Sequence, residues 1–158
     1  MRPSISDLVR PHLPCLRRFS RALNGSQEEG DADVVRLLET LVADQCRLRR
    51  DLPSKIALYQ LYIELWTEPS KRSSDKGVEL EDWVDRRLRT LEPRPRQAFL
   101  LAVVEEFTAD EIAAVLKTTN EEIHRLVQCG GAYWLSWRSD LTSQPAQCGS
   151  GAFSSWLR

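Results

Sequence analysis

The stretch that decides the fold runs from Leu91 to Gln128: LEPRPRQAFLLAVVEEFTADEIAAVLKTTNEEIHRLVQ. Thr108 is followed three residues later by Glu111, the spacing of a capping box, in which a hydroxyl and a carboxylate each satisfy a free N–H at a helix start. Ile112, Val115 and Leu116 then share one helical face. Lys117–Thr119 interrupt the run, Asn120 is a good cap, and Ile123, Leu126 and Val127 repeat the one-sided spacing. Two short helices joined by so brief a break predict a helix-turn-helix. A preceding helix near Arg96–Val104 is led by two prolines, which suit a first turn. It offers Phe99, Leu100, Val103 and Val104 as the surface on which the pair packs.

The charge of this unit argues against DNA. Between Glu105 and Gln128 six acids face only Lys117 and Arg125, a net of −4. The second helix begins Asn120-Glu121-Glu122, where a DNA reader presents its first residues to base edges between phosphates. Carboxylates there are repelled by the backbone that supplies most of the affinity. Acids also favour helix N-termini. That explains why they are tolerated, but not why compensating Lys and Arg are missing.

Composition sets wider bounds. The chain has 158 residues, a formal charge of −1 and 42% hydrophobic residues. That is room for one helical domain or two small ones, with no overall nucleic-acid or membrane signature. No apolar run is long enough to span a bilayer, and the N-terminus MRPSISDLVRPHLP lacks the core of a signal peptide. A cytoplasmic protein is therefore expected. Cys15, Cys46, Cys129 and Cys148 are widely spaced, and His12 and His124 have no ligand neighbours at metal spacing. No metal, cofactor or disulfide is expected. Phosphate loops, nucleophile elbows and Cys/His pairs are absent, so binding rather than enzyme chemistry is the reading.

The first half is helical as well. Pro11 and Pro14 break the first turns, after which Leu13, Leu16, Phe19, Ala22 and Leu23 form a stripe backed by Arg17, Arg18 and Arg21. Asn24-Gly25 stops that helix and Ser26 starts the next. Val34, Val35, Leu37, Leu38, Leu41 and Val42 are assigned to its core side, and the loop DQCRLRRDLP follows. Pro53–Trp66 is unusual: Gln60, Glu64 and Thr67 fall within about 60° of one another on a helical wheel. Nearly everything else around the circumference is apolar, with Leu58, Leu61, Tyr62 and Leu65 on one flank and Ile56, Tyr59, Ile63 and Trp66 on the other. Such a helix is either surrounded within a small bundle or carries a core face and a docking face.

EPSKRSSDKG at 68–77 is polar and rich in turn formers, so it reads as part of a linker. A helix is predicted over Asp82–Leu91, packed with the helix-turn-helix. From Cys129 the composition shifts to glycine, serine and tryptophan, and Gly130-Gly131 are expected to end the last helix. The organisation is thus all-α: a helical module at 1–67, a linker at 68–81, a helix-turn-helix module at 82–128 and a loosely ordered tail at 129–158.

This layout resembles a small extracytoplasmic-function sigma factor, with the first module similar to region 2 and the second to region 4. The chain is more closely similar to the sigma-like N-terminal domain of the PhyR general stress response regulators of alphaproteobacteria. LVRPHLPCLRRFSRALNGSQEEGDADV at 8–34, LPSKIALYQLYIELW at 52–66 and PRQAFLLAVVEEFTADEIAAVL from Pro95 carry the resemblance. It implies a sigma-factor mimic, an anti-anti-sigma protein that captures a small NepR-like anti-sigma factor without reading DNA. The alternative is a sigma factor that binds RNA polymerase and promoter DNA. The family continues into a phospho-accepting receiver domain, whereas the last 30 residues here have no such pattern. Either a stand-alone sigma-like protein or a frame shifted near Cys129 is expected. A partner held as amphipathic helices across both modules would anchor on Tyr59, Ile63 and Trp66 of the first, and on Leu101, Val104 and Phe107 of the second.

Overall fold

The computed structural model describes residues 4–68 and 91–140, the last eight by their backbone alone. Among these residues every regular element is helical. Helix α1, Ile5–Val9, starts at a capping box in which Ser4 and Asp7 bond reciprocally. Pro11 then forces a 3-10 turn over Arg10–His12 before α2, Leu13–Asn24. Gly25, at φ 68°, ends α2 in the left-handed conformation that glycine alone adopts at no cost. Ser26 caps α3, Gln27–Ala43. Gly30 lets α3 cross α2 closely, because a Cβ there would lie 2.7 Å from the Arg21 backbone.

Helix α4, Ser54–Thr67, is buried on all sides, from Ile56 through Ile63 and again at Leu65 and Trp66. The surrounded-helix reading of its apolar circumference therefore holds. Part of what surrounds it is the second module: α5, Pro93–Val103, α6, Ala109–Leu116, and α7, Asn120–Asp140. Thr108 and Glu111 form the expected capping box at α6. Phe19 and Leu37 from the first module share one continuous apolar cluster with Leu101, Phe107 and Ile112 from the second.

The assignment of Val35 and Val42 to the core is corrected. They are 53% and 82% exposed, and α3 buries Val34, Leu37 and Leu41 instead. A second correction concerns Gly130-Gly131, which do not end the last helix: α7 continues to Asp140. Gly130 is there for close packing, since a Cβ would stand 2.7 Å from the Phe99 Cβ of α5. The part of the linker at 69–81, the helix over 82–90 and the tail beyond 140 lie outside the described residues.

Candidate functional site

The junction between the modules gathers most of the residues singled out above. Tyr59 is fully buried on α4, and its ring meets Phe107 at 4.9 Å between centroids, tilted by 58°. Phe19 of α2 closes the other side of Tyr59 at 5.5 Å. Lys55 stands 4.0 Å over the Phe107 ring, a cation–π contact. Leu101 is 0% and Phe107 1% exposed, Ile63 and Trp66 are buried at the edge of the cluster, and Val104 is half-buried. The structure therefore joins the first-module and second-module anchors to each other at Tyr59 and Phe107.

Local backbone geometry makes this possible. After α5 the chain turns through Glu106 in the left-handed region at φ 53°, closed by Phe107 N–H donating to Leu101 O at 3.1 Å. The turn aims Glu105 and Phe107 at the first module. The Glu105 carboxylate is almost wholly buried and accepts from the Tyr59 hydroxyl at 2.8 Å and from Arg18 Nη2 at 3.2 Å. Arg18 also donates to Val104 O at 3.0 Å. A buried carboxylate is tolerable only when paired and hydrogen-bonded. Burial, then the facing Glu105 charge, pushes the Tyr59 phenol far above its ordinary range and keeps it a donor.

Further polar contacts tie α4 to the helix-turn-helix. Gln60 Nε2 donates to Ala114 O at 2.9 Å, satisfying one of the free carbonyls at the end of α6. Lys117, left-handed at φ 52° in the turn of the motif, reaches Glu64 Oε1 at 2.5 Å. Arg96 of α5 is buried and donates to Leu23 O at the end of α2 at 3.2 Å. The narrow polar strip of α4, at Gln60 and Glu64, is thus the polar half of the junction.

Trp66 belongs to the first module's interior. Its indole N–H donates to Asn24 Oδ1 at 2.9 Å, and Asn24 also donates to Asp33 at 2.9 Å. Beside it the Tyr62 and Ser20 hydroxyls are 2.6 Å apart.

The motif's outer face stays acidic. Asn120 and Glu121 at the start of α7 are exposed. Both cations of the Glu105–Gln128 segment are already paired with carboxylates, Lys117 with Glu64 and Arg125 with Glu122 at 2.6 Å. Within that segment acids outnumber cations six to two. Among the described residues no cluster of His, Cys, Asp or Glu could hold a metal, and no helix is long and apolar enough to cross a membrane.

Sequence reading missed Arg18 and Glu105. Both looked like solvent-facing charges, and neither spacing nor residue type marks a cross-module pair. Gln60 and Glu64 did stand out, as the sole polar strip on an apolar helix.

Two helical modules, one of them a helix-turn-helix, packed through an acid-centred junction define a sigma-like protein. Comparison with known proteins narrows the class. Residues 9–63 match the Sigma2 domain of PhyR, and residues 88–132 match the sigma-like domain of the response regulator PhyR. The chain belongs to the PhyR sigma-like family. The phyllosphere-induced regulator PhyR of Methylorubrum extorquens is 37% identical over 128 residues, covering 81% of this chain and 48% of that protein. The anti-anti-sigma factor PhyR of Bartonella quintana, in a co-crystal structure with the anti-sigma factor NepR, superposes with a TM-score of 0.71 at 34% identity, over 85% of this chain and 50% of that one. The PhyRSL chain from Sphingomonas sp. Fr1, solved by NMR in complex with NepR, gives 0.67 at 30% identity, over 94% of this chain and 96% of that one. This chain thus spans about half the length of the Methylorubrum and Bartonella proteins.

Proposed function

We propose that the chain is a sigma-factor mimic that captures a NepR-like anti-sigma factor and so releases the stress sigma factor for transcription. The observation that carries this reading is its likeness, through both modules, to PhyR chains solved in complex with NepR. The paired cations and exposed acids of the helix-turn-helix support the same reading over that of a promoter-binding sigma factor. Phosphate contacts dominate DNA affinity, and the segment Glu105–Gln128 is net acidic.

The partner meets the two modules as one body. Separating them would return Tyr59, Leu101 and Phe107 to water at a cost of about 1.5–3 kcal/mol each. Tyr59, Ile63, Leu101 and Phe107 therefore bear on capture by holding the modules at a fixed spacing. Half-buried Val104, beside the turn after α5, is the anchor left to touch the partner. A preformed surface lowers the ordering cost of binding, which favours a tight complex with a flexible helical partner.

Competition tests this. Added to a preformed complex of a general stress sigma factor and its anti-sigma protein, the chain should appear with the anti-sigma protein on gel filtration and leave the sigma factor free. Persistence of the original complex at excess chain would overturn the proposal.

A further inference from the structure

His12 sits at a corner of the first module that the junction does not use. It is the last residue of the 3-10 turn and the N-cap of α2. Its Nε2 lies 3.0 Å from Oγ of Ser54, the first residue of α4, a hydrogen bond that joins the N-terminal segment to the start of that helix. One half-buried imidazole thus stands where two helices begin. Neither helix start has a side-chain cap: His12 makes no cap bond in α2, and Pro53 supplies none to α4.

Each helix start carries the positive end of a dipole, which disfavours a cation. Lys55, in the first turn of α4, adds a full positive charge near the ring. The other titratable or charged groups of the neighbouring elements are Asp7 on α1, Arg10 in the 3-10 turn, Cys15 in the first turn of α2, and Arg49, Arg50 and Asp51 in the loop that leads into α4. Both carboxylates are engaged elsewhere. Asp7 bonds Ser4 in the capping box, and Asp51 pairs with Arg49 at 2.5 Å. Among the described residues no acid forms an ion pair with His12. A protonated ring therefore meets two helix ends and an ammonium group without a compensating charge. Burial, and then Lys55, holds the His12 imidazole below its ordinary value. An imidazolium can still donate to Ser54, so it is the surrounding charge that sets this direction.

What His12 holds in place is α1. That helix touches α4 and sends Val9 into the core, with Ile5 and Leu8 packed against it. Five residues are far too few to stay helical alone. The place of α1 rests on those apolar contacts and on the His12–Ser54 bond that follows them.

We propose that His12 is an acid-sensitive clasp: proton uptake by its imidazole releases α1 and the 3-10 turn from the start of α4. Histidine is the side chain whose charge ordinarily changes in the mildly acidic range. A folded-state value below the unfolded one, which is near 6.5, means that the clasp is complete above about pH 6.5 and loosens as pH falls through the folded value. The device lies within the first module and does not rest on the proposed capture of an anti-sigma factor.

NMR of the full chain between about pH 7.5 and pH 5, the range in which histidine titrates, tests this. His124→Gln tells the two histidine rings apart. The His12 ring should titrate below about 6.5. Protection of the Leu8 and Val9 amides, corrected for intrinsic exchange, should fall over the same range by up to about tenfold per pH unit. Leu37 and Leu41 in the middle of α3 should keep theirs. His12→Gln, neutral at every pH and able to bond Ser54, should leave α1 protected throughout; should that variant not fold, the wild-type titration alone decides. A His12 ring that titrates at or above about 6.5, α1 protection that does not change with pH, or the same acid loss in a folded His12→Gln protein would overturn the proposal.

Discussion

The Tyr59 hydroxyl donates to the Glu105 carboxylate at 2.8 Å, and both residues are otherwise packed among apolar side chains and a single arginine. One residue lies on the last helix of the first module and the other just after the first described helix of the second. The bond sets the modules in register where α2, α4 and the turn after α5 converge. Apolar packing alone would hold them together without fixing their angle. A directional bond to a buried acid fixes the angle, because any other arrangement leaves the carboxylate unsatisfied.

Tyr59→Phe should therefore destabilise the protein by about 1–3 kcal/mol, the cost of leaving a buried charged acceptor without one of its donors. The ring contacts with Phe19 and Phe107 survive this change, so helicity at low temperature should be unchanged. A denaturant titration followed by circular dichroism measures the shift. A variant as stable as wild type would show that Arg18 alone satisfies Glu105.

Alkaline titration gives a second check. Burial, as the main cause, raises the Tyr59 and Tyr62 phenols above their ordinary value. A folded-state value above the unfolded one means stability is complete below the unfolded value, near pH 10, and is lost as pH rises beyond it. Phenolate absorbance from two of the three tyrosines should thus appear together with loss of helicity. Titration of all three in a still-helical protein would place Tyr59 and Tyr62 in water.

Trp66 separates anchor from core. It is 8% exposed and bonded to Asn24, so Trp66→Ala should cost about 3–5 kcal/mol of stability. A thermal melt at matched concentration reads this. A loss well under about 1 kcal/mol would return Trp66 to the surface and make it a direct partner anchor.

DNA binding is the fourth test. With Lys117 and Arg125 both paired to carboxylates, the helix-turn-helix should form no sequence-specific duplex complex at physiological salt. Anisotropy against a promoter library measures it. A specific complex tighter than about 10⁻⁷ M would favour a working sigma factor.

Much of this fold is written in local sequence. Ser4, Ser26 and Thr108 cap the helices as their residue types predict, and Gly25 stops α2 in the left-handed conformation. The circumference of α4 left two readings open, a surrounded helix or one with a docking face, and the burial of both flanks decides for the first. Long-range facts were not legible. That Glu105 lies under Arg18 depends on the turn at Glu106, whose positive φ no side-chain pattern signals. Gly130 misled because glycine commonly ends a helix, yet here it makes room for Phe99 across a helix crossing. Val35 and Val42 misled because an apolar residue near a helical stripe is usually inside. Of the partner anchors chosen for their apolar character, Tyr59 and Phe107 face one another, since the same character that suits an interface suits a junction within the chain.

Capture of an anti-sigma factor is the central claim, and calorimetric titration of the chain with a purified NepR-like protein tests it most directly. A one-to-one complex with a dissociation constant below about 1 μM is expected, formed without loss of the Tyr59–Glu105 junction, so that Tyr59→Phe weakens binding far less than it lowers stability. Absence of binding heat and of any complex on gel filtration, with a folded chain and a partner that still binds its own sigma factor, would contradict it.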